Sequence, residues 1–394
     1  MKKVVSTEKF PIKMWLEDIE EGALEQAKNL ANLPFVYKWI AIMPDSHQGY
    51  GMPIGAVLAT DNVVIPNAVG VDIGCGMCAV RTSLTEISTA NLKRIMGTIR
   101  ELVPVGMEHQ EKDQVVNYEE FEQYERISQI VKDQLERGKK SLGTLGGGNH
   151  FIEIQKGSDG FVWIMIHSGS RNLGFTVANY YAKLAKEINA KYYTTVPLDH
   201  DLAFLPMDSV EGKQYMIDQE FCVEFAYRNR RLMLDRVQSA FVQEFGNVEF
   251  DKEINKPHNF ATYENHYGKN VIVHRKGATR AFLDEIGMIP GSQGTSSYIV
   301  KGKGNDESFK SCSHGAGRKM GRSFARKNLS LETEKKMLDD LGVVHSIRNV
   351  SDLDEAPSAY KDIKDVMANQ TDLVEIVVEL KPLAVIKSSD GGVD

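Results

Sequence analysis

The sequence predicts a mixed α+β (α/β) chain built around one large core, with a helical insertion around 176–250. Three observations predict it. Short apolar runs ending at polar or glycine-rich turns recur along the chain. Longer stretches between them carry near-helical spacing, and no internal repeat, low-complexity tract or Pro/Ser-rich linker marks a domain boundary.

The runs that read as strands are "FVWIMIH" (161–167), "NVIVH" (270–274), "SYIVKG" (297–302) and "LVEIVVEL" (373–380). "AVRTSLTEI", after the cysteine pair at 75 and 78, alternates and reads as another. Residues 115–137 are strongly charged and 176–192 are rich in Ala and Tyr, and both read as helical. Residues 208–245 place Phe221, Phe225, Leu232 and Phe241 at near-helical intervals, which predicts a buried helix face.

Composition narrows the class. With 394 residues, 42% hydrophobic and 26% charged, the chain resembles ordinary soluble globular proteins. No apolar run reaches membrane-spanning length, and "MKKVVSTEKFPIKMW" has no apolar stretch of the signal-peptide kind. Four cysteines in so long a chain make no disulfide framework, so a reducing cytoplasm is expected. A net charge of 47 − 54 = −7 argues mildly against a nucleic-acid binder, although "HGAGRKMGRSFARK" (314–327) is locally basic.

"VGVDIGCGMCAV" (69–80) admits several chemistries. Cys75 and Cys78 form a C-x-x-C, but a redox pair wants a helix N-terminus and a strand follows instead. A structural zinc site wants a second ligand pair, and Cys222 and Cys312 are isolated. Gly74-x-Gly76-x-x-Ala79 fits a loose dinucleotide fingerprint, yet no helix opens after it. Asp72 with Cys75 remains as a pair of metal ligands, with the glycines permitting an irregular backbone. Alone, the pair is ambiguous.

A carboxylate and a thiolate need histidines to complete such a site. His150 follows a glycine run, His167 ends the run 161–167, His258 lies in "NKPHNFA" and His314 opens "HGAGR". Together with a carboxylate and a thiolate they point to a metal or catalytic centre suited to manganese, zinc, iron or cobalt. Strand parity after the glycine turn places Asn149, Phe151 and Glu153 on one face and His150 on the other. His200, His266 and His345 lack such a setting and are left as structural or surface residues. If the basic stretch is helical, Arg318, Arg322 and Arg326 form one stripe, and a phosphate at its N-terminus would offset the unfavourable dipole. "HRKGATR" (274–280) and "PGSQGT" (290–295) are two further phosphate-friendly segments.

In order along the chain, "MPDSHQGYGMPIGAV", "VGVDIGCGM", "GGGNHFIEI", "HSGSRNLG", "HRKGATRA", "IPGSQGTSSYIV", "SHGAGRKMGR" and "VIK" resemble the RtcB-type RNA-splicing ligases, over nearly the whole length. The resemblance implies an RtcB-like fold, β-sheets surrounded by helices around a metal- and nucleotide-binding cleft, as a single catalytic domain. It implies joining of an RNA 3′-phosphate or 2′,3′-cyclic phosphate to a 5′-hydroxyl, in tRNA splicing or RNA repair, with GTP and two manganese ions. Asp72, Cys75 and His150 would hold one ion, and Cys75, His167 and His258 the other, making Cys75 a bridge and Cys78 a buried bystander. His314 would be guanylylated. The guanylate site would comprise Asn149, His150, Phe151, Ile152, Glu153, His258, Asn259, Pro290, Gly291, Ser292, Gln293, Ser297, His314, Gly315, Ala316, Gly317, Tyr360 and Lys387. Arg171, Arg275 and Arg318 would meet phosphate or RNA.

Three departures from the family pattern bear on substrate preference: Pro257 where many members have histidine, Gln293 where methionine is common, and "SSDGGVD" after Lys387. Two rival functions are a dinuclear metallophosphodiesterase and a non-catalytic RNA- or GTP-binding accessory protein. An activating partner protein is compatible with the family reading, and no membrane partner is expected.

Overall fold

A computed structural model describes residues 1–388, so residues 389–394 of the extension past Lys387 lie outside the described residues. Two large sheets carry the chain. The first has seven strands, in the order Ile254–Pro257, Gly76–Arg81, Val162–Ser168, Phe151–Gly157, Val374–Ile386, Ser297–Gly302 and Ile286–Ile289. Every pairing in it is antiparallel. The second has six, in the order Lys3–Val5, Ile12–Met14, Val36–Tyr50, Met52–Thr60, Lys269–Lys276 and Asn259–His266, with one parallel pairing, between Ile12–Met14 and Val36–Tyr50. Of "AVRTSLTEI" only the part up to Arg81 is strand; the four other expected strands are all present. The last runs on to Ile386, with Pro382 tolerated at a register shift in its pairing.

Period-two alternation assigns the faces of the seven-stranded sheet. Cys78, Val80, Ile152, Ile154, Ile164 and Ile166 turn to one core, shared with residues of the helices Thr89–Leu102 and Val210–Phe245. Met77, Ala79, Phe151, Trp163, Met165 and Val385 turn to the other, with Leu338 and Leu353. Cys78 is therefore buried against helices. Burial pushes its thiol up to about 12, so it is the inert bystander expected.

Ser209 caps the helix Val210–Phe245, its side chain accepting from the Gly212 N–H, and Gly246 closes it at φ 76°. Phe221, Phe225 and Phe241 on this helix are fully buried, as their spacing predicts. Each such phenyl contributes about 1.5–3 kcal/mol by leaving water. Arg171–Lys191 is the other long helix of the 176–250 region. The stretch 115–137 is not one helix. It breaks into the 3-10 turns Tyr118–Glu120 and Tyr124–Arg126, the short helix Gln129–Lys132 and the start of Leu135–Ser141. Its apolar residues Tyr118, Phe121, Ile127 and Val131 are too irregularly spaced to form a helical stripe, and each is buried separately in the core around Phe221 and Phe225. Among the described residues no helix is long and apolar enough to cross a membrane.

The register positions the site. Gly76 pairs with both Pro257 and Ser168, and His167 pairs with both Met77 and Phe151. Antiparallel neighbours alternate direction, so one edge of the sheet collects two strand ends and two strand starts. Cys75, His150, His167 and His258 all lie at that edge.

Candidate active site

The long helix Val210–Phe245 holds the loops at this edge. Arg230, fully buried, donates to the carbonyls of Gly74 (2.8 Å) and Ser168 (2.9 Å) and to Asn255 Oδ1 (2.8 Å). Its neighbour in the chain, Asn229, accepts from the Gly143 N–H and donates to the Gly169 carbonyl. These two side chains fasten the loops bearing Asp72, Cys75, His150 and His167. Their role was hidden in the sequence, where they look like polar residues on a solvated helix face.

The donor atoms converge. Cys75 Sγ lies 3.4 Å from His150 Nε2 and 3.3 Å from His167 Nε2, and His167 Nε2 lies 3.3 Å from His258 Nε2. Asp72 Oδ2 is 3.2 Å from His150 Nε2. His150 Nδ1 faces the Leu145 carbonyl at 2.9 Å and His167 Nδ1 the Asn149 carbonyl at 3.2 Å, so each Nδ1 carries the proton and each Nε2 presents a lone pair. Burial and neighbouring histidines hold His167 and His258 well below the usual range, hence neutral, while burial and Asp72 push the Cys75 thiol up. A buried thiol and imidazole nitrogens converging with a carboxylate fit a cation that displaces the thiol proton. Two ligand sets result, Asp72–Cys75–His150 and Cys75–His167–His258, with the thiolate common to both. Gly169 is required beside them because a Cβ there would overlap the Asp72 carboxylate.

His314 stands next to this cluster, its ring centroid 4.9 Å from that of His258. Asp45, fully buried in the strand Val36–Tyr50, accepts from His314 Nδ1 (2.7 Å) and from the backbone N–H groups of His314 (3.1 Å) and Gly315 (3.2 Å). Burial alone would raise the Asp45 carboxyl, yet His314 beside it holds it below the usual range. The imidazole is thereby fixed with Nδ1–H toward Asp45 and Nε2 free. Asp45 was not singled out, although it sits in the quoted "MPDSHQGYG"; an acid closing an apolar strand was the available signal.

The donor cluster and His314 line one cavity of about 890 Å³. Its far end carries Phe151, Glu153, Gln293, Glu355, Tyr360 and Lys387. Glu355 is the second residue the sequence reading missed. Its carboxylate takes Lys387 Nζ at 2.7 Å and Arg318 Nη1 at 3.1 Å and accepts the Tyr360 hydroxyl; Gln293 donates to its carbonyl at 2.8 Å. Burial opposes its charge, but Lys387 and Arg318 bring it down to about 2. Nothing in "DLDEAPSAY" marks this acid apart from its neighbours. Glu153 is buried without a counter-ion in contact, and burial lifts it to about 8 against a hydrogen bond from Gln155. Its Oε1 has no hydrogen-bond partner among the described residues.

Several expectations need correcting. Arg275 does not reach the cavity. It is fully buried in a fork on Glu264 (2.6 and 3.0 Å), with further bonds to Ser311 Oγ and the Phe309 carbonyl. Ile152 points into the helix-facing core, by strand alternation, and Ser297 is buried where its Oγ accepts from the Gly291 N–H, so neither side chain lines the cavity. His150 is not on the face opposite Asn149, Phe151 and Glu153: the strand begins only at Phe151, and the preceding turn lets all four border the cavity. The basic stretch is helical only from Arg322 to Asn328. Arg318 precedes it in the loop, and the anions it and Arg326 meet are Glu355 and Asp354 of this chain. Asn149, Asn259, Pro290, Gly291, Ser292, Gln293, Gly315, Ala316, Gly317, Tyr360, Lys387, Arg171 and Arg318 do line it.

The Arg275 correction has a measurable consequence. Glu264, held down to about 2 by Arg275 against the cost of burial, contributes stability above its unfolded pKa that is lost as pH falls toward 2. Arg275→Ala leaves that carboxylate buried with only His266 beside it, at 2.8 Å, and is expected to cost about 3–5 kcal/mol. A lowered urea midpoint at neutral pH checks this; an unchanged midpoint with weakened RNA binding contradicts it.

Fold and site define a class: a mixed α/β protein in which a Cys/His/Asp metal-type cluster shares one cavity with a carboxylate-backed histidine. A family model described as "tRNA-splicing ligase RtcB" matches residues 26–388. RNA-splicing ligase RtcB of Escherichia coli (strain K12) is 39% identical, over 98% of this chain and 99% of its own. tRNA-splicing ligase RtcB of Thermococcus kodakarensis is 33% identical, over 93% and 91% respectively. The chain belongs to the RtcB family.

Proposed function

We propose that this chain, acting as a single catalytic domain in the cytoplasm, is an RNA ligase. It would use GTP and manganese to join 3′-phosphate or 2′,3′-cyclic phosphate ends to 5′-hydroxyl ends through a guanylylated His314. One observation carries the reading. His314, its Nδ1 held by Asp45, lines the same cavity as the donor cluster, Glu153 and Lys387. The names of the relatives support it.

The chemistry follows from those positions. Nε2 attacks the α-phosphorus of GTP, a nitrogen–phosphorus bond forms, and pyrophosphate leaves. The ring becomes cationic, and the Asp45 carboxylate stabilises that charge through Nδ1–H. An oxygen of the RNA 3′-phosphate then takes the guanylyl group, freeing the imidazole. The 5′-hydroxyl attacks the activated phosphate and GMP departs. Cyclic ends must first be hydrolysed to the 3′-phosphate. Manganese, held by Asp72, Cys75, His150, His167 and His258, would offset negative charge on the phosphates. Incubation with labelled GTP and manganese, without RNA, tests the reading, because only the ligase labels itself. A metallophosphodiesterase or an accessory protein would not.

Base choice rests on Glu153 and Lys387. Guanine presents N1–H and an amino group to an acceptor such as Glu153, and O6 to a donor such as Lys387. Adenine reverses this pattern and offers neither group a matching partner. Sites built on such hydrogen bonds reject the wrong ligand by up to about 10⁴-fold. Lys387→Ala and Glu153→Ala are each expected to weaken self-guanylylation and narrow the GTP/ATP ratio with metal content intact. Unchanged GTP labelling with continued refusal of ATP in Lys387→Ala places base reading elsewhere.

A further inference from the structure

The cavity extends past the donor cluster, away from Glu153 and Lys387, to a shelf that the guanylylation chemistry does not use. Two packed helices build it. Leu135–Ser141 contributes Arg137 and, one turn on, Ser141; Arg171–Lys191 contributes Arg171 and, one turn on, Phe175. The loop before them adds Met107 and His109.

Arg171 is half-buried at the root of the shelf, donating to Thr144 Oγ1 at 3.3 Å and to the Gly106 carbonyl at 3.4 Å. It follows Ser170, whose N–H holds Asp72 Oδ1 at 3.1 Å, so the shelf adjoins the first ligand set. Arg137 is exposed, with no acidic partner among the described residues. Beside it, His109 Nδ1 faces Ser141 Oγ at 3.5 Å. Burial lowers the His109 pKa, and so do the cations Arg137, Arg171 and Lys140 around it. Phe175 is 39% exposed and Met107 71% exposed, both bordering the cavity. A solvent-facing phenyl ring amid unneutralised cations, leading into a site for phosphates, is costly for a free surface. It matches what a single nucleic-acid strand needs: a face on which a base stacks and cations for the backbone.

We propose that this shelf binds the single-stranded end of the RNA substrate, with a base stacked on Phe175 and backbone phosphate held by Arg137. The proposal rests on the ligase reading for the identity of the nucleic acid. It goes beyond that reading by giving the strand its path: past Arg137 and Phe175, over Asp72, to His314. A duplex keeps its bases stacked on one another and cannot offer one to Phe175, so an unpaired end is the form recognised.

The test uses the full chain with manganese and a fluorescent single-stranded RNA of about ten nucleotides bearing a 3′-phosphate. Affinity is measured over a series of salt concentrations for the parent, Phe175→Ala, Phe175→Trp and Arg137→Ala. Self-guanylylation, which involves no RNA, serves as the folding control. Phe175→Ala is expected to weaken binding about tenfold, and Phe175→Trp to restore it. Arg137→Ala is expected to reduce the slope of log affinity against log salt by about 0.7. Parent-like affinity and slope in Phe175→Ala and Arg137→Ala overturn the proposal. Loss of guanylylation in Phe175→Ala assigns that ring to the fold and overturns the stack, and the exposed Arg137 then decides alone whether the shelf meets RNA; binding of a protein rather than RNA by the same residues also overturns it. A parent that binds this RNA through the shelf but neither labels itself nor seals overturns the ligase reading instead.

Discussion

Cys75→Ala is expected to release both metal ions, not one. The two ligand sets share only the Cys75 sulfur, which faces His150 on one side and His167 on the other. Without it, the first set is reduced to Asp72 and His150 and the second to His167 and His258. Two protein ligands hold a divalent ion poorly, and loss of even an outer-sphere partner costs about 10–100-fold in affinity. A shared ligand should therefore cost each site more than about 100-fold. Asp72→Ala provides the contrast, since it leaves Cys75, His167 and His258 complete. Metal analysis after gel filtration should find Cys75→Ala empty and Asp72→Ala half loaded. Full, equal occupancy in Cys75→Ala would remove the bridge from the account.

His314→Ala has the other large effect, and it separates the steps of the reaction. Removal of a covalent nucleophile typically costs about 10⁴-fold or more, so no guanylylated protein should accumulate. The ligand clusters do not include His314, so metal content should stay at the parent's level. An RNA supplied with a guanylylated 3′ end bypasses the missing step and should still be sealed. Failure on that substrate too would give His314 a structural or RNA-positioning role. Asp45→Asn is the informative companion. It keeps the shape but removes the charge that stabilises the imidazolium, and should slow labelling without abolishing metal binding.

What was legible in the sequence was local. Glycine turns beside a thiol, a carboxylate and four strand-end histidines pointed to a metal or catalytic centre, and the family resemblance selected the five that the structure draws together as candidate ligands. The stripe Phe221, Phe225 and Phe241 identified a buried helix face, since its spacing is a local property. Partners drawn from distant segments were not legible. Asp45 and His314 are 269 residues apart, and Glu355 gathers Arg318 and Lys387 from 37 and 32 residues away. Arg275 shows the converse error. A cation among polar neighbours reads as a phosphate contact until the fold places Glu264 opposite it. Arg318 was drawn into a helix for a similar reason, because charge spacing alone does not reveal where a helix starts.

The central claim is that His314 becomes covalently guanylylated, and one measurement addresses it directly. The parent protein is incubated with manganese and GTP labelled at the α-phosphate, without RNA, then denatured, digested and mapped. The account predicts acid-labile label on the single peptide that contains His314, absent when the label is at the γ-phosphate. Label on another residue, or none from a protein that carries its manganese, would contradict it.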